Sequence, residues 1–349
     1  MIQTYTMTST TSPYDVRVSE AATDIGGQHV QQDNGLRFEC TGQDGQKLVG
    51  VAVFDGHGAR RGEQFSQMAT SVLQTIVSAD GFKERFDAAP EATGREIFGA
   101  INTACFEMNC RELTTLGKEY TVEDGLIKTS SALALGKING GSTGTVVFIS
   151  DTGLVHTFNV GDSDAWLIAG ENAVRLNANH APDCESEYER IHAEWPKTEF
   201  LYHYQVSCGR PRQANGSHVF PRRVDFDGYY VKNVSGDWAT IMNTGFSSMA
   251  MTRAFGDEPL RHGGLIAEPS YSVHQTTTSS IVQIASDGFW DNIKNTEITM
   301  TTSAALQKHG YNAENLNRDW FATTEAKARC NFKSSRDNMW GYTVVLEKM

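Results

Sequence analysis

The chain has 349 residues, 39% of them hydrophobic and 21% charged, a balance that suits a globular protein and excludes a fibre or a largely disordered chain. Its formal net charge of -12, from 42 acidic against 30 basic residues, excludes the basic stripe of a nucleic-acid-binding surface. The six cysteines include no Cys-x-x-Cys pair, which excludes zinc-ribbon and thioredoxin-like readings.

Residues 1–20, polar and rich in Thr and Ser, predict a flexible lead-in, and residues 21–349 a single domain with an insertion at about 195–245. The start of the chain has no apolar signal core, and no run reaches the length of a membrane span. The expectation is therefore a cytoplasmic or nuclear protein with reduced thiols, away from membrane and nucleic acid, and a monomer. The sequons at Asn215 and Asn233 are read as coincidence.

Leu36 to Cys40 alternates as a half-buried strand, and Thr41 to Gln46 predicts a hairpin turn into Val51-Ala52-Val53-Phe54. That buried strand delivers Asp55-Gly56-His57-Gly58 into a turn. Phe65, Met68, Ala69, Val72, Leu73 and Ile76 then fall at helical spacing, as do Ile97, Ile101, Cys105 and Met108 behind Pro90-Glu91. Thr114 to Gly140 shows no period and is expected to be irregular. Thr145 to Ile149 and Val155 to Val160 read as strands, and Gly161-Asp162-Ser163-Asp164 as a tight hairpin or a bulge within a meander. Glu185 to Ala193 predicts a short helix. Trp195 to Gly245, with Arg210, Arg212, Arg222 and Arg223, reads as an irregular basic and aromatic insertion, either a contact for a phosphorylated protein or a solvated loop. Ile281 to Ala285 is another buried strand, followed by helices near Thr296 to His309 and Asp319 to Phe332 and a last strand at Tyr342 to Leu346.

One arrangement recurs along this order. Asp55, Asp162 and Asp287 each follow an apolar run, and Asp337-Asn338 precedes one. A single Asp-Gly is a turn signal. Four acidic turns, each beside a buried strand, point to carboxylates held at sheet ends with oxygens available to a hard cation. An acidic protein can still handle phosphate when bound metals reverse the charge in its cleft.

The blocks Gln32-Asp33, Asp55-Gly56-His57-Gly58, Gly141-Ser142-Thr143, Gly161-Asp162-Ser163, His180-Ala181-Pro182, Arg253-Ala254-Phe255-Gly256-Asp257, Ser286-Asp287-Gly288-Phe289-Trp290-Asp291 and Asp337-Asn338 occur in the order found in the metal-dependent Ser/Thr protein phosphatases of type 2C. The chain resembles that family from Asp24 to Lys348. The resemblance implies an α+β fold of two packed antiparallel β-sheets flanked by helices, an α-β-β-α sandwich with its metals in a cleft at one end. It implies a hydrolase acting in signalling on phosphoserine and phosphothreonine of protein substrates, with two Mg2+ or Mn2+ ions. Asp55 would bridge the ions, with Asp287 and Asp337 completing the first site and the Gly56 carbonyl and Gln32 serving the second. Asp33 would hold a metal-bound water, Asp162 and Asp291 a third, weaker ion, and His57 would be the general acid.

Two cations about 4 Å apart activate a bridging water and neutralise phosphoryl oxygens, so that water attacks directly and an acid protonates the leaving oxygen. The chain departs from the family in three places. Gln32 stands where many members carry Glu, Gln28 where the family often places a phosphate-holding Arg, and Asp164 where an Arg is usual. Arg37, Arg60 or Arg61 are the candidates to hold the substrate phosphate instead. Two alternatives follow: a catalytically impaired relative that docks partners through the same fold, and a metal-dependent hydrolase of small phosphate esters.

Overall fold

The computed structural model describes residues 13–58, 61–130, 132–182, 184–206, 211–214, 228–229, 238–243 and 247–349. Strand Lys47–Phe54 shows how its sequence builds the layers. Successive side chains of a strand point to opposite faces. Val51 and Val53 face a second sheet, whereas Leu48, Ala52 and Phe54 face helices. A strand buried on both sides reads as a continuous apolar run, and this one does.

Two antiparallel sheets stack through that inner face. One has the order Ser270–Gln275, Leu154–Val160, Gly144–Ser150, Lys47–Phe54, Asn34–Thr41. The other runs Tyr14–Val18, Met339–Lys348, Ser280–Ala285, Asp164–Ala169, Asn172–Arg175, with Ala22–Asp24 also paired to Met339–Lys348. Val51, Val53, Val147 and Ile149 of the first meet Val282, Ile284, Val344 and Leu346 of the second. Helices Gly62–Val77, Phe82–Ala88 and Pro90–Thr115 cover the outside of the first sheet through Phe65, Phe86 and Phe98. Ile298–His309 and Ala313–Asn331 cover the second, where Trp320 and Phe321 pack on Phe289. The fold is the α+β sandwich that the resemblance implied.

Several local expectations need correction. Gly161-Asp162-Ser163-Asp164 is neither hairpin nor bulge: the strand before it pairs in one sheet and the strand after it in the other. The chain changes sheets at Gly161, whose φ of +99° and whose missing Cβ, which would lie 2.6 Å from Thr143 Cγ2, both require glycine. Residues 116–140 are more regular than expected, with a hairpin of Tyr120–Glu123 and Leu126–Thr129 and a short helix Ala132–Leu135. Tyr14–Val18, placed in the flexible lead-in, instead forms an edge strand on Met339–Lys348. The insertion is not irregular where it is described. Glu199–Val206, Pro211–Ala214, Trp238–Asn243 and Ser247–Met249 form a small antiparallel sheet, to which Gly228–Tyr229 adds a short strand. Arg210, Arg222 and Arg223 lie outside the described residues, as does Arg60. Among the described residues no helix is long and apolar enough to cross a membrane.

Candidate active site

The acidic turns expected from the sequence meet at one end of the sandwich, around a cavity of about 380 Å³ lined by Gln32, Asp55, His57, Asp257, Asp287 and Asp337, among others. Asp55 leaves the end of strand Lys47–Phe54, and Asp287 follows strand Ser280–Ala285 as the first residue of the short helix Asp287–Trp290. Asp337-Asn338 enters from the other direction, just before strand Met339–Lys348. Neighbouring strands of two stacked sheets therefore deliver the carboxylates without any long loop.

Hydroxyls and amides hold these acids in place. The Asp55 backbone N–H donates to Thr143 Oγ1 at 3.1 Å, and its carbonyl accepts from the Thr143 N–H at 2.8 Å. Thr143 Oγ1 also lies 2.8 Å from Ser163 Oγ. The Gly-Ser-Thr and Gly-Asp-Ser blocks thus brace the acid that follows the first strand. Buried Asp33 accepts a hydrogen bond of 2.7 Å from Ser286 Oγ, which itself accepts from the Trp340 N–H. Asn338, given no role from sequence, accepts from the Gln32 N–H and donates to the Ile25 carbonyl, tying residues 25–32 to the acid at 337.

Electrostatics at this end are unfavourable for the acids alone. Burial first, then repulsion from Asp287 and Asp337, raises the pKa of Asp33 against the opposing effect of the Ser286 hydrogen bond. Burial also raises that of Asp55 well above the carboxylate range, with Asp33, Asp287, Asp337 and Asp162 adding to it. For His57, burial opposes the charged form, but Asp257 outweighs it and the pKa is raised, with Asp162 and Asp287 contributing. Among the described residues, no three His, Cys, Asp or Glu side chains make a ready-closed ligand set around one point.

The other sequence candidates fall as follows. Gln32 and Gly56 line the cavity, and Gln32 Nε2 donates to the Gly58 carbonyl at 3.0 Å. Asp162 lies at the sheet change, close enough to act on Asp55 and His57. Asp291 ends the short helix that Asp287 opens, its N–H bonded to the Asp287 carbonyl at 2.7 Å. Arg37 and Arg61 do not line the cavity. Arg37 pairs with Glu20 and the carbonyls of Val18 and Ser19, while Arg61 is buried over the Phe65 ring and donates to Asn109 at 2.6 Å. Their placement gives no support to the phosphate role expected of them. Gln28 does line the cavity, and no Arg or Lys among the described residues does. Asp164, in the position of a family Arg, accepts from Arg175 and Asn177.

Residues whose role the sequence did not reveal are Thr143, Ser163, Ser286, Asn338 and Asp257. Each stood inside a recognised block. The signal available was a small polar residue directly beside a glycine or an acid at a strand end.

A family model for protein phosphatase 2C matches residues 28–201 and 216–339. The chain is 28% identical over 279 residues to a probable protein phosphatase 2C 72 of Arabidopsis thaliana, covering 78% of this chain and 69% of that relative. It is 24% identical over 281 residues to a probable protein phosphatase 2C 11 of the same plant, covering 80% of this chain and 56% of that relative. In fold it is similar to a serine-threonine phosphatase 2C of Toxoplasma gondii, with a TM-score of 0.63 at 18% identity over 96% of this chain and 95% of the other.

Proposed function

The chain belongs to the protein phosphatase 2C family, whose curated members are protein phosphatases, and we propose that it hydrolyses phosphoserine and phosphothreonine in proteins with Mg2+ or Mn2+ as cofactor. The observation that carries this reading is the convergence of Asp33, Asp55, Asp287 and Asp337 on one another beside His57.

The donor set fits a hard divalent cation. Its atoms are carboxylate, carbonyl and amide oxygens, and the desolvated acids repel one another, a cost that a divalent charge offsets. Mg2+ keeps several waters of its own, so few protein oxygens are needed to hold it. Asp55, Asp287 and Asp337 would hold one ion; Asp55, the Gly56 carbonyl and Gln32 would hold a second; Asp162 and Asp291 a weaker third. Ions so held lower the pKa of water and neutralise phosphoryl oxygens.

The chain's own residues do the rest. Asp33, fixed by Ser286, accepts a hydrogen from the attacking water and orients its lone pair toward phosphorus. As the oxygen of water bonds to phosphorus, the ester P–O bond breaks and its electron pair stays on the serine or threonine oxygen. His57 delivers the proton that this oxygen requires. No bond between enzyme and phosphorus is needed. Substrates are phosphorylated proteins.

One observation favours a second reading. With no Arg or Lys lining the cavity among the described residues, a phosphate monoester would meet the amides of Gln28, Gln32 and Asn139 and the His57 ring, beside several acids, before the ions bind. A partner-docking relative with impaired turnover fits such a cleft.

The test is phosphate release from a phosphothreonine peptide with Mn2+, Mg2+ or EDTA, comparing the parent with Asp287→Ala. Metal-dependent release that the variant loses is the expected outcome. Absence of release at any metal concentration from folded parent protein would sink the enzymatic reading in favour of docking.

A further inference from the structure

Three short segments far apart in sequence form one miniature sheet, two of whose residues, Gly56 and His57, line the cavity. Gly141–Ser142 is its centre, with Gly56–His57 on one side and Phe255–Gly256 on the other. His57 and Gly256 both pair with Gly141, so the residue after Gly256 arrives beside the imidazole. That residue is Asp257. Its Oδ2 lies 2.6 Å from His57 Nε2.

The carboxylate is built in rather than resting there. Asp257 is 1% exposed, and its N–H donates to the Gly140 carbonyl at 2.9 Å. Its carbonyl accepts from the N–H of Leu260 and of Arg261, and its φ of +51° is a left-handed conformation that Asp tolerates. A Cβ on Gly141 would stand 2.1 Å from Oδ2, so glycine at that position gives the carboxylate its room. We propose that Asp257 is the positioning residue for His57, fixing its ring and tautomer so that the other nitrogen serves the departing oxygen. This rests on the reading of His57 as the general acid.

The chemistry follows from the two nitrogens. A carboxylate oxygen can only accept, so Nε2 carries a hydrogen. Nδ1 is buried with no hydrogen-bond partner among the described residues, on a residue that lines the cavity. When the ester P–O bond breaks, the leaving oxygen takes the electron pair and then the Nδ1 proton. The imidazole left behind is the Nε2–H tautomer, the form that Asp257 stabilises. Asp257 thus favours both the charged ring before transfer and the correct neutral ring after it.

The experiment compares the full-length parent, Asp257→Asn and His57→Ala with Mn2+ on two substrates. One is a phosphothreonine peptide, whose leaving oxygen needs a proton. The other is p-nitrophenyl phosphate, whose nitrophenolate leaves without one. Both variants are expected to lose about 100-fold in kcat on the peptide while retaining turnover of p-nitrophenyl phosphate. Equal loss on both substrates in Asp257→Asn, or no loss on either, overturns the proposal. If His57→Ala is selective and Asp257→Asn is not, only the positioning role fails; if His57→Ala is not selective, the general-acid reading fails with it. Nitrogen-15 NMR of the parent protein, with the His57 signals assigned by their loss in His57→Ala, decides independently of activity and of how Asp257→Asn folds. Followed upward in pH until the ring is neutral, its hydrogen is expected on Nε2, and a neutral ring with its hydrogen on Nδ1 refutes the proposal.

Discussion

Replacing Glu187 by Gln is expected to cost about 3 kcal/mol of stability at neutral pH and only about 1 kcal/mol near pH 3. Glu187 lies on helix Glu185–Glu194, which precedes the insertion, and it is 3% exposed. It accepts from Arg253 Nη2 at 2.5 Å, Thr252 Oγ1 at 2.6 Å and Arg190 Nη2 at 2.9 Å. Burial opposes its ionisation, but these charge-assisted bonds overcome the penalty and pull its pKa from 4.5 down to about 2. At about 1.4 kcal/mol per pKa unit, that shift corresponds to about 3 kcal/mol of stability. This is also the usual cost of removing one partner from a buried ion pair, roughly 3 kcal/mol or more. A depressed carboxylate pKa stabilises fully above the ordinary range and loses that effect as the pH falls through the folded value. By about pH 3 roughly 2 kcal/mol is gone. Urea unfolding of parent and Glu187→Gln, at pH 7 and at pH 3, isolates this carboxylate from others that titrate in both proteins. A gap that does not change with pH, or one below about 1 kcal/mol at pH 7, would refute the reasoning by showing that both guanidiniums recover solvent.

In helix Pro90–Thr115, a Cβ on Gly94 would lie 2.1 Å from the Phe158 ring. Gly94→Ala should therefore cost about 1 to 3 kcal/mol by overpacking, more than the roughly 1 kcal/mol gained in helix propensity. Urea unfolding measures the loss, and adding Phe158→Leu should recover part of it. Thr143→Val removes the acceptor for the Asp55 N–H and the bond to Ser163 without changing side-chain volume. Calorimetric titration should show Mn2+ affinity reduced about tenfold or more, with the circular dichroism spectrum unchanged. Asp55→Asn removes one of several mutually repelling acids. Because burial and repulsion raise the folded-state pKa of Asp55, the cation-free parent loses stability as the pH rises above the ordinary carboxylate range. The variant should therefore melt higher than the parent in EDTA, and Mn2+ should raise the melting point of the parent more than that of the variant; an equal response in the two would count against a metal role for Asp55.

The layers were legible wherever burial alone determines residue type. Strand Lys47–Phe54 is apolar on both faces because one face meets a sheet and the other a helix, so its identity needed no partner to be known. The change of sheet after Val160 was not legible. A glycine with an acid behind it signals a turn in either case, and whether the next strand returns to its neighbour or joins the facing sheet depends on tertiary pairing. Tyr14–Val18 was missed for a related reason: its partner is Met339–Lys348, at the far end of the chain. The short strands of the insertion carry little period of their own, and their order depends on pairing across tens of residues.

The candidate site divides along the same physical line. Acids that follow buried strands announce themselves, since a carboxylate at the end of an apolar run has few structural reasons to be there. The residues that hold them are Ser, Thr and Asn, types that also fill any turn, so only the distances from Thr143 to Ser163 and from Ser286 to Asp33 separate brace from bystander. The arginine question turns on the same point. Arg37 and Arg61 looked equivalent as cations near the first acidic turn, but Arg61 follows that turn into the buried start of helix Gly62–Val77, whereas Arg37 lies on an edge strand beside Glu20. Neither position can turn a guanidinium toward the cavity without giving up existing partners. A phosphate entering there meets side-chain amides and His57, so more of its charge must be balanced by whatever cations the acids hold. If so, affinity for substrate should depend on divalent-ion concentration more steeply here than in a variant given a cation by Gln28→Arg.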